Sequence, residues 1–299
     1  MDEIEKVKEE FLHRVGELDE KLEYFRDNFE SWISSLPGEI VPIVLKMVSS
    51  FDYYGKKNTN KILEQFHRTL NDEHKIPDNL VLHTYIKKAK GKICSSLDYF
   101  CDYKIINNIN KRFCSDDVRE IPDDIWKKIK YIVVVDDCCG TGGSLEKFIR
   151  YTKKDFTGKH LFYMVIHMLA DSIDKIDELR RMHEMQITVL RYNFREKAFD
   201  CMTLDNLKES KEIFVSKCKE IGVDDDYSLG KYKSEGLMAF HNNTPNNTIG
   251  IFWKETKNNK AIFPRDFGEV PGWEMRPNEM KRQRNERKRM NYMAVKKHG

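Results

Sequence analysis

The sequence predicts an α/β protein: a mainly parallel sheet with helices on both faces, preceded by a helical N-terminal extension. Two observations carry this. From about residue 79 onward, short apolar runs alternate with amphipathic stretches of helical period, the pattern of parallel strands joined by crossover helices. Before that point the period is purely helical. The 299 residues divide into a helical extension at 1–75, a core at 76–264 and a basic tail at 265–299.

The extension opens on an apolar stripe. Ile4, Val7, Phe11, Val15, Leu18, Leu22, Phe25, Phe29, Trp32 and Leu36 recur every three or four residues, which predicts one long helix ended by Pro37-Gly38. Such a helix spans about 50 Å at roughly 1.5 Å per residue. The stripe packs either on the chain's own following helix, near Ile40–Phe51 or Ile62–Leu70, or on a second subunit or partner protein. Asn79–Ile86 reads as the first strand of the core. The basic turn KKAKGKICSS (Lys87–Ser96) then leads into a helix. Tyr131–Val135 is a second strand, with a helix after Gly143. His160–Leu169 is a third, continuously apolar and therefore buried on both faces. Ser172–Glu184 is helical, Gln186–Arg191 a fourth strand and Leu204–Ile221 a helix. Leu237–Phe240 and Ile249–Trp253 read as late strands flanking the loop HNNTPNNT (His241–Thr248).

Composition narrows the functional classes. A 40% apolar fraction supports a core, and 34% charged residues a solvated surface. No apolar run approaches the roughly 20 residues that a membrane helix needs. Met1–Arg26 is charged throughout, so no secretory signal is expected there. Seven irregularly spaced cysteines without a C-x-x-C pair argue against a zinc site and for reduced thiols in a cytoplasmic protein. The net charge of +3 is uneven: residues 276–299 carry nine Lys or Arg against two Glu, a +7 tail on a body of −4. That tail suits either a solvated surface helix or contact with nucleic acid.

The chemistry concentrates in YIVVVDDCCGTGGSL (Tyr131–Leu145). An apolar strand ends in Asp136 and Asp137, followed by Cys138, Cys139 and the turn Gly140–Ser144, which opens a helix. Glycines let a ligand approach the backbone, and the N–H groups of a helix start attract an anion such as phosphate. The carboxylates stand at the carboxyl end of a strand, where open α/β sheets bind ligands, and they suit sugar hydroxyls or a metal ion. A Walker A loop would need a Lys in the turn, and a dinucleotide fingerprint a third glycine where Leu145 stands. The run DCCGTGG also resembles the first motif of DNA adenine methyltransferases. The Pro-Pro motif that grips the target amine in those enzymes is missing, so an S-adenosylmethionine-dependent methyltransferase is the lesser alternative.

Val133–Ser144 most resembles the binding motif of type I phosphoribosyltransferases for 5-phosphoribosyl-1-pyrophosphate (PRPP). The resemblance implies that Asp136 and Asp137 form the catalytic acid pair, holding the ribose 2′ and 3′ hydroxyls directly or through Mg²⁺. It implies that Thr141, Gly142, Gly143 and Ser144 cradle the 5′-phosphate. It also implies a pyrophosphate loop at Lys88, Lys90, Gly91 and Lys92. Some purine members carry an acidic general base at the position of Gly140, and this chain does not.

His241–Trp253 resembles a stretch found in a divergent bacterial group of such proteins associated with conflict systems, including anti-phage loci. That resemblance implies that His241, Asn246 and Asn247 complete the site. Read from residue types alone, the same stretch is a turn-rich loop. The function expected is binding of PRPP or a ribose 5-phosphate nucleotide with Mg²⁺, followed by ribosyl transfer or hydrolysis. The alternative is an inactive module that senses the same ligand. A homo-oligomer or partner protein is expected at the N-terminal helix, nucleic acid at the tail, and no membrane.

Overall fold

The computed structural model describes residues 2–16, 18–77, 80–87, 95–204 and 206–265. The expectations placed on Lys88, Lys90, Gly91, Lys92 and the basic tail lie outside the described residues.

The stripe forms two helices, α1 (Glu3–Val15) and α2 (Glu20–Ser35), rather than the single helix expected. Gly16 takes a left-handed φ of 84° and returns its N–H to Leu12 O at 3.0 Å, ending α1. Asp19 then caps α2 by accepting from the Leu22 N–H at 3.1 Å. The chain folds back, since the Phe11 and Phe25 ring centroids are 4.6 Å apart. In one straight helix they would be separated by about 21 Å.

The stripe packs within the chain. Arg14 binds the Val48, Ser49 and Phe51 carbonyls at the end of α3 (Val41–Ser49). Phe25 stacks on Phe263 at 5.3 Å, and Trp32 lies 5.5 Å from Phe252. The extension thus shares one core with residues 198–263.

After β1 (Asp52–Tyr54) and α4 (Lys56–Asp72) come the strands of the main sheet: β2 (Val81–Tyr85), β3 (Tyr131–Cys139), β4 (His160–Leu169) and β5 (Gln186–Arg195). They pair in that order, all parallel, as the alternation predicted. Helices α6 (Asp123–Lys128), α7 (Gly143–Thr152) and α8 (Ile173–Met182) cover one face with Trp126, Phe148 and Leu179. Helices α4 and α5 (Ser95–Ile106) cover the other with Phe66, Tyr99 and Phe100. Every β4 residue after His160 is buried, as a strand between two helix layers requires.

The remaining elements are α9 (Leu207–Glu220) and β6 (Met238–Phe240), which pairs in parallel with β1. Ile249–Trp253, expected as a strand, contains a 3₁₀ turn at Gly250–Phe252. Its apolar side chains are buried, but Phe252 N–H and Trp253 N–H bond back to Ile249 and Gly250, so no strand ladder forms. Among the described residues no helix is long and apolar enough to cross a membrane.

One detail of the sheet positions the site. Along β3, Ile132 and Val134 face the layer of α6–α8, and Val133 and Val135 face the layer of α4 and α5. Beyond the acids the sides exchange: Cys139 joins the first layer and Cys138 the second. The same exchange occurs on β4, where Tyr163 and Val165 share a layer with Met168. A strict period of two would not allow this. The alternation therefore slips by one residue at the level of Asp136 and Asp137.

Candidate functional site

The structure brings three separate stretches to the carboxyl end of β3: the acid pair and its turn, the start of α5, and the loop 241–248. Asp136 is only 3% exposed. Ser96, in the first turn of α5, donates to its Oδ1 at 2.5 Å, and the Tyr163 hydroxyl on β4 donates to Oδ2 at 2.7 Å. The Asp137 N–H also reaches Oδ1, at 3.1 Å. Burial, then the charge of Asp137, push the Asp136 carboxyl up to about 8. Two adjacent buried acids cannot both ionise cheaply, so the enclosed Asp136 carboxyl favours its neutral form. The Asp137 charge in turn acts on Tyr99 of α5 and on Arg265.

The turn runs from Gly140 into α7. Gly142 stands at its cap with φ 73°, and no side chain caps the first N–H groups of the helix. Those groups are directed to whatever lies before the helix, which suits an anion. Ser144 is exposed, and Thr141 and Gly143 are half-buried. Gly142 is buried, and a Cβ there would come within 2.9 Å of the Lys175 side chain. A bulky replacement at Gly142 would therefore disturb folding as well as any ligand. Both neighbouring thiols are pushed up by burial, Cys139 to about 11, so the pair is structural rather than reactive.

The loop 241–248 is held against these elements. Asn242 accepts from the Tyr99 hydroxyl at 2.6 Å, and the His241 ring lies 6.3 Å from that of Tyr99. Burial pushes the His241 imidazole down, and its Nδ1 is a buried atom without a hydrogen-bond partner. Asn246 accepts the Lys231 N–H through its carbonyl at 2.8 Å and is half-buried. Asn247 lies on the turn itself: a Cβ at Gly140 would stand 2.3 Å from its Nδ2.

Asp136, Asp137, Gly140–Ser144, His241 and Asn247 are thus gathered around β3 and α5. Sequence reasoning missed Ser96 and Tyr163, the partners of Asp136. Ser96 closes KKAKGKICSS, so a hydroxyl at a helix start was its signal. Tyr163 sits inside an apolar strand and gave none.

A cavity of about 580 Å³ lies elsewhere, along β5 between Phe66 and Thr69 of α4 and Ile176 of α8. It does not reach the acids, and chemistry outweighs size in choosing the site.

Among the described residues, no three His, Cys, Asp or Glu side chains gather as a metal cage. Mg²⁺ does not need one, because it keeps several waters and takes one or two carboxylates plus substrate oxygens. Asp137 fits such a role. Asp136 offers less to a cation, because both of its oxygens already accept hydrogen bonds from neighbours.

Parallel strands between two helix layers, with an acid pair and a glycine turn at their carboxyl end, define a phosphoribosyltransferase-like α/β protein. The model of the family described as PRTase-CE matches residues 29–265, and the chain belongs to that family. No curated protein and no solved structure matches the chain.

Proposed function

We propose that this protein binds PRPP, or a nucleotide containing ribose 5-phosphate, at the carboxyl end of β3 and transfers or hydrolyses its ribosyl group. The carrying observation is the convergence of Asp137, the uncapped start of α7 and the 241–248 loop on one point of the sheet. Asp137 would accept from the ribose hydroxyls, each charged hydrogen bond being worth roughly 1.5–3 kcal/mol. Thr141–Ser144 would hold the 5′-phosphate by backbone N–H and hydroxyl groups. Asp136 would keep Asp137 and the α5 start in place. Mg²⁺, on Asp137 and the ligand's oxygens, would supply positive charge to the departing pyrophosphate. Lys88, Lys90 and Lys92, with Gly91, belong to the same reading as pyrophosphate contacts. In PRPP the C1–O bond would break with its electron pair leaving on pyrophosphate, the acceptor's lone pair would close on C1, and the acceptor's proton would pass to the released pyrophosphate or to water. In a nucleotide the C1–N bond would break with its electron pair leaving on the base. A base, a protein, a nucleic acid or water can accept. The resemblance at His241–Trp253 adds the proposed setting, a cytoplasmic effector of bacterial anti-phage defence, with the basic tail meeting nucleic acid and the N-terminal helices a partner or second subunit.

A second reading is a sensor that binds the same ligand without turnover. It is favoured by the amide of Asn247 occupying the space beside Gly140, where no acid is available as a base. Calorimetry with PRPP and Mg²⁺, run beside a pyrophosphate-release assay, separates the two. Binding with release supports the enzyme, and binding without release across several acceptors supports the sensor. Failure to bind PRPP or any ribose 5-phosphate nucleotide overturns both.

A further inference from the structure

We infer that Asn247 is a positioning residue that seats the phosphate turn by filling the side-chain space of position 140. The inference rests on the reading of Gly140–Ser144 as the anion-binding turn. An ideal Cβ on Gly140 would lie 2.3 Å from Asn247 Nδ2, 2.6 Å from Cγ and 3.1 Å from Oδ1. The Gly140 backbone is not left-handed. Glycine is needed there because Asn247 occupies the space, not because φ demands it.

Asn247 is itself clamped from behind by residues 230–236. Its carbonyl accepts the Gly236 N–H at 3.0 Å and lies 3.0 Å from Ser234 Oγ, while its Nδ2 donates to the same hydroxyl at 3.1 Å. Ser234 is fully buried. The backbone of Gly230 closes so tightly that a Cβ would stand 2.2 Å from the Asn247 carbonyl oxygen. To wrap around Asn247 the clamp places Tyr232, Lys233 and Glu235 at left-handed φ of 60°, 55° and 52°. Such conformations persist where surrounding structure over-determines them, and they cluster at ligand clamps. The contact makes the loop 241–248 part of the phosphate site rather than a neighbouring turn. It also presents a neutral amide, not a carboxylate, to the first residue of the turn, which spares a bound anion a repulsion.

The test is a double-mutant cycle on the full chain, read as PRPP–Mg²⁺ affinity by calorimetry. Gly140→Ala and Asn247→Ala should each weaken binding by about tenfold, the scale of coupling between touching residues. The double variant should bind no more weakly than Asn247→Ala alone, because the new methyl enters the vacated space. Asn247→Asp should lose more than Asn247→Ala, through repulsion of the anion that a merely structural role would not produce. Multiplying losses in the double variant, or equal binding by the Asp and Ala variants, overturns the inference. Amide hydrogen exchange at residues 141–145 in the same proteins gives a ligand-free readout. Exchange should rise in both single variants, with no further rise when Gly140→Ala is added to Asn247→Ala. If the wild type binds no PRPP, the functional reading fails, and the exchange data still decide whether Asn247 seats the turn.

Discussion

Asp136 and Asp137 are neighbours on one strand, yet their surroundings assign them different work. Asp136 is enclosed by Ser96, Tyr163 and the Asp137 N–H, and burial pushes its carboxyl up, toward the neutral form. An asparagine at 136 therefore matches the neutral form that burial favours once the Ser96 or Tyr163 hydroxyl turns to accept from it. Asp136→Asn should fold and should keep PRPP affinity within about threefold, since only hydrogen-bond geometry changes at a well-matched site. Asp137→Asn removes the charge itself and should weaken PRPP–Mg²⁺ binding by at least about tenfold, the equivalent of roughly 1.4 kcal/mol. Inorganic phosphate, which the proposed site would hold by the turn alone, should bind both variants alike. Calorimetry with the two ligands checks this. Equal loss of PRPP affinity in both variants, or matching loss of phosphate affinity in Asp137→Asn, contradicts the division of roles.

Among the elements, the paired helices α1 and α2 carry a prediction of their own. Phe25 is fully buried and meets Phe11, Phe29 and Phe263 at centroid distances of 4.6, 4.8 and 5.3 Å. Phe25→Ala should cost about 3–5 kcal/mol through lost transfer energy and a residual cavity. Because Phe263 belongs to the stretch matched to the family, unfolding of the variant followed by circular dichroism and by tryptophan fluorescence should remain one coincident transition. Two separated transitions would show the helices to be an independent unit. This element also shows what a sequence pattern can convey. Seven of the ten stripe residues are buried, because burial follows the helical period within each helix, while Ile4 and Val15 are half-buried and Leu18, in the reversal, is exposed. The stripe did not reveal the reversal, because the period continues across it, and only Gly16 and Asp19 mark the break. The parallel strands were legible from their apolar runs, and the acid-and-glycine turn from residue type. The three-residue strand β1 was too short to show a period, and the apolar run Ile249–Trp253 is compatible with either a strand or a buried 3₁₀ turn. Ser96, Ser234 and Tyr163 reach the site through tertiary contacts that no local pattern encodes.

At the scale of the whole molecule, three deeply buried groups contribute most clearly to the pH dependence of stability among the described residues. Burial pushes His167 down from 6.5 to about 4 and His83 down to about 3. Each stays neutral in the folded chain while the unfolded chain takes a proton below 6.5, so their contribution is complete above that pH and is lost as pH falls. Asp136 works in the opposite sense. Its folded value, raised to about 8 from 3.8, makes the folded chain hold a proton that the unfolded chain has released, so stability falls as pH rises between those values. From pH 4 to 6.5 the depressed histidines, His83 and His167 joined by the less buried His160 and His241, outweigh the one raised carboxyl, and stability rises with pH. From 6.5 to 8 Asp136 is the main group acting among the described residues, and stability declines by up to about 1.4 kcal/mol per pH unit. Urea unfolding at pH 5, 6.5 and 8 should therefore give the highest midpoint near 6.5. Asp136→Asn should remove the decline toward pH 8 and leave the acid limb in place, and His167→Gln should make the acid limb shallower. A wild-type midpoint that climbs steadily from pH 5 to 8 would mean that Asp136 is ionised in the folded protein. It would then be a second charged ligand for Mg²⁺ and sugar hydroxyls, instead of the neutral support for Asp137.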